Sequence, residues 1–136
     1  MEKTNILLLL TPKTQLACLD ETMNVRQAIE KMRAHGYMAI PLISKKGEYL
    51  GTISEGDLLR CIVDEDCFDM ESLEDINVVD LIRKDYTLPV KVDATMEKLL
   101  EMSIGQNFVP VVDDRNILMG IVTRRKVMQE VLKDYF

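Results

Sequence analysis

Apolar residues along this chain fall into two series with the same rhythm. In the first, Val25, Ala28, Ile29 and Met32 recur at i, i+3, i+4 and i+7 behind Asn24, with Gln27 placed to complete a capping box, so a helix with one apolar face is predicted. Gly36 follows at the place where a left-handed residue ends helices. The period then changes. Met38 to Ile43 is almost continuously apolar, as in a strand covered on both faces. Ser44-Lys45-Lys46-Gly47-Glu48 reads as a turn, and Leu50-Gly51-Thr52-Ile53-Ser54 as a return strand, which makes a hairpin. Leu58, Leu59, Ile62 and Val63 then restore helical spacing.

The second series repeats these steps. Thr95 caps a helix carrying Met96, Leu99, Leu100 and Ser103, two residues shorter than the first and ending at Gly105. A strand from Asn107 to Val112, the turn Asp113-Asp114-Arg115-Asn116-Ile117, a strand ending Met119-Gly120-Ile121-Val122-Thr123 and a helix with Val127, Met128, Val131 and Leu132 follow. Gly47 and Asn116 occupy equivalent turn positions, and both residue types tolerate positive φ. Ile40 to Ser54 aligns with Val109 to Thr123 over fifteen positions without a gap, matching Pro41 to Pro110 and Gly51 to Gly120. One structural unit is therefore used twice. With a short lead-in strand at Leu16 to Leu19 or Pro89 to Val92, the unit is β-α-β-β-α. The expected fold is α/β (α+β): two subdomains related by a pseudo-twofold axis, each with a three-stranded sheet and two helices. The boundaries are 1–63 for the first repeat with its lead-in, 64–77 for a connector and 78–136 for the second repeat.

At 136 residues and 47% hydrophobic content, each half alone is marginal, which favours two repeats sharing their stability. A net charge of −6 is the wrong sign for a generic phosphate-backbone binder, so nucleic acid is not expected as the main partner. Ile6 to Leu10 is far too short to span a membrane and reads as a buried strand or helix turn. Cys18, Cys61 and Cys67 lack C-x-x-C spacing and suit reduced thiols in a cytoplasmic protein. His35, the one histidine, falls at a helix end, where a polar or positive side chain is ordinary, and gives a zinc site little to work with. Seven of the twelve residues from Asp64 to Asp75 are acidic; without EF-hand spacing they read as a solvated connector, and Asn77 to Ile82 as a short helical turn beyond it.

The chemistry concentrates at Ser54-x-x-Asp57. A hydroxyl at the N-cap and a carboxylate three residues on form a capping box, and the same helix start, with its free N–H groups and dipole, also favours an anion. Both readings stand. In the second copy, Lys126 replaces the carboxylate, preceded by Arg124 and Arg125, which sets three cations where the helix dipole disfavours positive charge. A basic solvated face or a phosphate-binding helix start would each account for it. No nucleophile, base and orienting residue recur together, so an enzyme is not expected.

The order helix, Gly36, Tyr37-Met38-Ala39-Ile40-Pro41, strand, turn, Gly51-Thr52-Ile53-Ser54-Glu55-Gly56-Asp57, helix resembles a cystathionine-β-synthase (CBS) motif, and its repetition resembles a tandem CBS pair, or Bateman module. The resemblance covers almost the whole chain. It implies a non-catalytic regulatory module of the stand-alone bacterial type, needing no cofactor, that binds an adenine nucleotide such as cyclic di-AMP, AMP, ADP or ATP and signals to another protein. S-adenosylmethionine binding, or a degenerate pair acting only in dimerisation, are the alternatives it leaves. In the family the Ser/Thr meets phosphate and the Asp meets ribose, so Lys126 departs from the pattern. Family geometry implies one cleft from Tyr37, Met38, Ala39 and Pro41 with Thr123, Arg124 and Arg125, and a second from Asn107, Phe108, Val109 and Pro110 with Ser54 and Asp57. Tyr37 would pack on adenine, or else serve as an ordinary helix-to-strand packing residue, and the arginines would hold phosphate; the first cleft suits a phosphate-rich ligand and the second a nucleoside-like one or none. Dimerisation through helices implies a homodimer, with apolar faces around Leu58 to Val63 and Val127 to Leu132 as its surfaces.

Overall fold

The computed structural model of the protein describes residues 5–135, Tyr135 by its backbone alone; the two outer ends of the sequence-derived boundaries lie outside the described residues. The chain divides into two compact units. One comprises residues 17–86 and the other the N-terminal residues up to Leu16 together with those from Thr87 onward.

In the unit of residues 17–86, strand β2 (Leu19–Asp20), helix α1 (Val25–His35), strands β3 (Ala39–Ile43) and β4 (Tyr49–Ser54) and helix α2 (Glu55–Asp64) follow in order, with β1 lying earlier in the chain at Thr11–Pro12. The sheet order is β2-β3-β4, parallel then antiparallel. Asn24 caps α1 by accepting from the Gln27 amide while the Gln27 side chain accepts from the Asn24 amide, and Gly36 ends the helix at φ 68°. Val25, Ala28 and Met32 go into a core with Leu19, Ile40, Leu42 and Ile53, as the periodicity requires, while Ile29 stays half-buried at its margin.

The other unit holds β5 (Val90–Lys91), α3 (Met96–Ser103), β6 (Phe108–Val112), β7 (Leu118–Thr123) and α4 (Arg124–Tyr135). Every residue of β6 is buried. Helix α3 has eight residues against eleven for α1; Thr95 caps it, but its last turn passes through Ile104 in right-handed conformation, and Gly105 is absent from the positive-φ glycines. The alignment of Gly36 with Gly105 thus does not extend to how the helices end.

The hairpins match in detail. Gly47 (φ 87°) and Asn116 (φ 65°) take the left-handed turn position. Ser44 Oγ accepts from the Lys46 and Glu48 amides, and Asp113 Oδ1 from those of Arg115 and Ile117. Both ladders shift register at the same place, between Leu42 and Ile43 and between Val111 and Val112.

The sheets differ in one respect. Thr11–Pro12, in the lead-in of the first repeat, pairs antiparallel with Ile121 and Gly120 of β7, so the sheet runs β1-β7-β6-β5 and has four strands where three were expected. Its counterpart in the other unit is Ile82, which lies across Gly51 without forming a strand: a Cβ on Gly51 would come within 2.6 Å of Ile82 Cγ2. A Cβ on Gly120 would collide with the Thr11 carbonyl oxygen. The paired glycines let a crossing segment approach closely, and in each case that segment leads into the opposite repeat.

Ile6–Leu8 is a 3₁₀ turn that buries Ile6, so the apolar run near the start is a helical turn rather than a strand. Residues 64–71 of the acidic connector are largely exposed, but Ser72–Asp75 forms a 3₁₀ turn that buries Leu73 completely in the core of unit 17–86. Arg26 Nη1 meets Glu74 at 2.8 Å, the Val25 amide donates to Ile76 O, and the Val78 amide to Met23 O. The latter half of the connector is therefore docked on the start of α1, a role that the run of carboxylates conceals. Val78–Leu81 forms the helical turn expected beyond it. Among the described residues no helix is long and apolar enough to cross a membrane.

Candidate functional site

In each unit the first long strand starts beside the helix that follows the hairpin, because antiparallel pairing returns the chain to that end. Ala39 pairs with Ser54, and the Glu55 amide donates to Met38 O at 3.0 Å. Phe108 pairs with Thr123, and the Arg124 amide donates to Asn107 O at 2.9 Å. Unit 17–86 thereby gathers Met38, Ala39, Ser54 and Asp57 at one sheet end, and the other unit gathers Asn107, Phe108, Thr123, Arg124 and Arg125.

Exposure divides the candidates. Pro41, Phe108, Val109 and Pro110 are buried, so they shape the strand rather than present side chains. Met38 and Asn107 sit just before their strands and are exposed, while Tyr37 and Ala39 are half-buried. Tyr37 leans on His35 with ring centroids 5.5 Å apart, which gives the lone histidine a packing role at the exposed end of α1.

The two helix starts are electrostatic opposites. At α2, Ser54 Oγ accepts from the Asp57 amide, and Asp57 Oδ2 accepts from the Ser54 amide (2.8 Å) and hydroxyl (2.9 Å), completing the capping box. Asp57 Oδ1 also takes Arg60 Nη2 at 2.7 Å and Arg83 Nε at 2.9 Å. The side chain is 5% exposed. Spacing within the motif reveals neither arginine: Arg60 looks like an ordinary surface position, and Arg83 arrives from beyond the connector. Asp57→Ala is expected to cost about 1–2 kcal/mol in urea unfolding, roughly 1 for the cap and up to about 1 from the two ion pairs, whose arginines are solvated. A loss below about 0.5 kcal/mol would mean that the box contributes little.

At α4, Thr123 Oγ1 accepts from the Lys126 amide, the same cap without a carboxylate to answer it. Of the three cations, Arg124 turns away: its Nε donates to Ser103 O (2.7 Å) and Gln106 O (3.1 Å), sealing the end of α3, where positive charge is favoured. Arg125 and Lys126 are exposed, and among the described residues no ion pair reaches them. The triplet is thus one structural arginine and two free cations, a distinction sequence spacing does not make.

Two of the cysteines are poor nucleophile candidates, since burial, together with nearby Glu65, pushes the Cys61 and Cys67 thiols up.

Two hairpin-and-helix units, each presenting a hydroxyl-capped helix start beside a strand end, define a duplicated α/β module. The family model for the CBS domain matches residues 9–64 and 75–133, and the chain belongs to that family, carrying the domain twice. Cyclic di-AMP receptor B of Bacillus subtilis is 27% identical over 110 residues, 81% of this chain and 74% of the receptor. CbpB of Listeria monocytogenes, solved in complex with c-di-AMP, superimposes with a TM-score of 0.85 at 25% identity, covering 97% of this chain and 98% of that one. The A-adding tRNA nucleotidyltransferase of Aquifex aeolicus is 28% identical over 117 residues, 85% of this chain, which spans only 13% of the enzyme's length.

Proposed function

We propose that the protein is a regulatory CBS pair that binds an adenine nucleotide and passes its occupancy to a partner protein without catalysing a reaction. The observation that carries this reading is the start of α4, where Thr123 caps the helix, no carboxylate completes the box, and Arg125 and Lys126 stand free at the positive end of the dipole. That arrangement costs stability unless an anion completes it. The relatives favour a phosphate ester of adenosine as that anion, since the Bacillus subtilis protein is a cyclic di-AMP receptor and the Listeria monocytogenes protein is bound to c-di-AMP. Thr123 and Arg125 are the candidates to hold the phosphate, and Arg124 positions this end of the same unit by holding α3.

Titration calorimetry against cyclic di-AMP, AMP, ADP, ATP and GTP tests the reading. Arg125→Ala is expected to weaken binding by about 1.5–3 kcal/mol, the worth of a charge-assisted hydrogen bond, or roughly ten- to a hundredfold. Its folding stability should stay level or rise slightly, because a cation leaves the unfavourable end of a dipole. Unchanged affinity in Arg125→Ala, or equal affinity for ATP and GTP, would refute the assignment.

A homodimer formed through α2 and α4 belongs to the same proposal. Leu58 and Val127 point inward, whereas Leu59 and Val63 on α2, and Met128 and Leu132 on α4, are exposed at corresponding places. The repeat keeps an apolar outer stripe that its own core does not use.

A further inference from the structure

The family resemblance casts Asp57 as a carboxylate that meets ribose, yet its acceptor capacity is already spent. A carboxylate offers about four lone-pair sites. Here Oδ2 receives the Ser54 N–H and O–H, and Oδ1 receives Arg60 and Arg83. A sugar hydroxyl arriving as a fifth donor finds no free acceptor, and the carboxylate is almost wholly enclosed.

We propose that Arg83 is an internal counter-ligand of Asp57, a specificity-determining residue that keeps sugar hydroxyls off this carboxylate until it is displaced. The four donors are not equally replaceable. The two from Ser54 belong to the helix cap and move only if α2 frays. Arg60 projects from the next turn of the same helix and is 54% exposed. Arg83, 41% exposed, comes from a separate segment, with its guanidinium 3.9 Å over the Tyr86 ring. A cavity of about 400 Å³, large enough for a ribose, opens on Asp57, Arg60, Cys61, Asn77, Leu81 and Arg83. Its remaining lining includes Asp64, Glu65, Asp75 and Asp80, which repel phosphate and select an uncharged nucleoside over a nucleotide. Arg83 also lies just ahead of Thr87, where the chain passes into the other unit.

The inference rests on the nucleotide reading only for its choice of nucleoside, and adenosine is the probe. Calorimetry should show Arg83→Ala binding one more adenosine per chain than the unaltered protein, and Asp57→Asn in the same background should abolish the added site. An equal number of sites in Arg83→Ala and the unaltered protein, or an added site that survives Asp57→Asn, overturns the proposal. Where Arg83→Ala unfolds, Arg83→Met, which keeps an unbranched side-chain stem but carries no donor, replaces it and must gain the same site. Cyclic di-AMP titrated into the same variants reads the α4 site separately. Loss of its binding everywhere refutes the nucleotide reading, while a gained adenosine site still supports Arg83.

Discussion

Truncating Leu73 to alanine is expected to cost about 2–5 kcal/mol of folding stability, the range for removing a leucine from a closed core. Leu73 is 2% exposed and packs with Val25, Ala28 and Met32 of α1 through the turn Ser72–Asp75. A loss of that size is a large share of what a domain of this length possesses. Urea unfolding followed by far-UV circular dichroism measures it. Phe68→Ala is the control within the same connector: Phe68 is largely exposed, so its removal should change stability by less than about 0.5 kcal/mol. Equal small effects at both positions would mean that the turn is not docked on α1.

Gly120→Ala is expected to lower stability by about 1–3 kcal/mol, and by more if β1 detaches, because overpacking against backbone cannot be relieved by a rotamer change. The new methyl group would strike the Thr11 carbonyl oxygen and crowd Leu10. Gly51→Ala meets the side chain of Ile82 instead, which can move, but adopts φ 156°, a conformation that L-residues rarely take. Hydrogen exchange separates the two cases: Gly120→Ala should expose amides of β7, and Gly51→Ala should leave β7 protected. Protection of β7 in both would mean that the lead-in is not held there.

The repeat was legible because hairpin and helix write themselves in local periodicity: Ile40 to Ser54 and Val109 to Thr123 each form strand, turn and strand, with Gly47 and Asn116 at positive φ. What sequence concealed was tertiary. Pairing of Thr11 with Ile121 follows from no local pattern, since a two-residue strand carries no periodicity. Leu73 was hidden among carboxylates, where composition signals solvent but one apolar residue in a turn is enough to dock it. At the candidate site, Ser54 and Asp57 were recognisable as a capping box, while Arg83 was not, because a long-range ion pair leaves no spacing to read. Arg124 shows the converse: three adjacent cations look alike in sequence, and only the carbonyls of Ser103 and Gln106 single one out.

The crossing of lead-ins sets an order on how the chain assembles during synthesis. Residues 17–86 contain every strand of their own sheet and the Ile82 that covers Gly51, so this unit can close once its last residue clears the ribosome. The other unit begins earlier in the chain but finishes last: Thr11 must await Ile121 across nearly the whole length of the nascent polypeptide. Until β7 emerges, Ile6 and Leu9 have no core to enter. During that interval Ile6 and Leu9 stay open to solvent, and slower translation of the second repeat would lengthen their exposure.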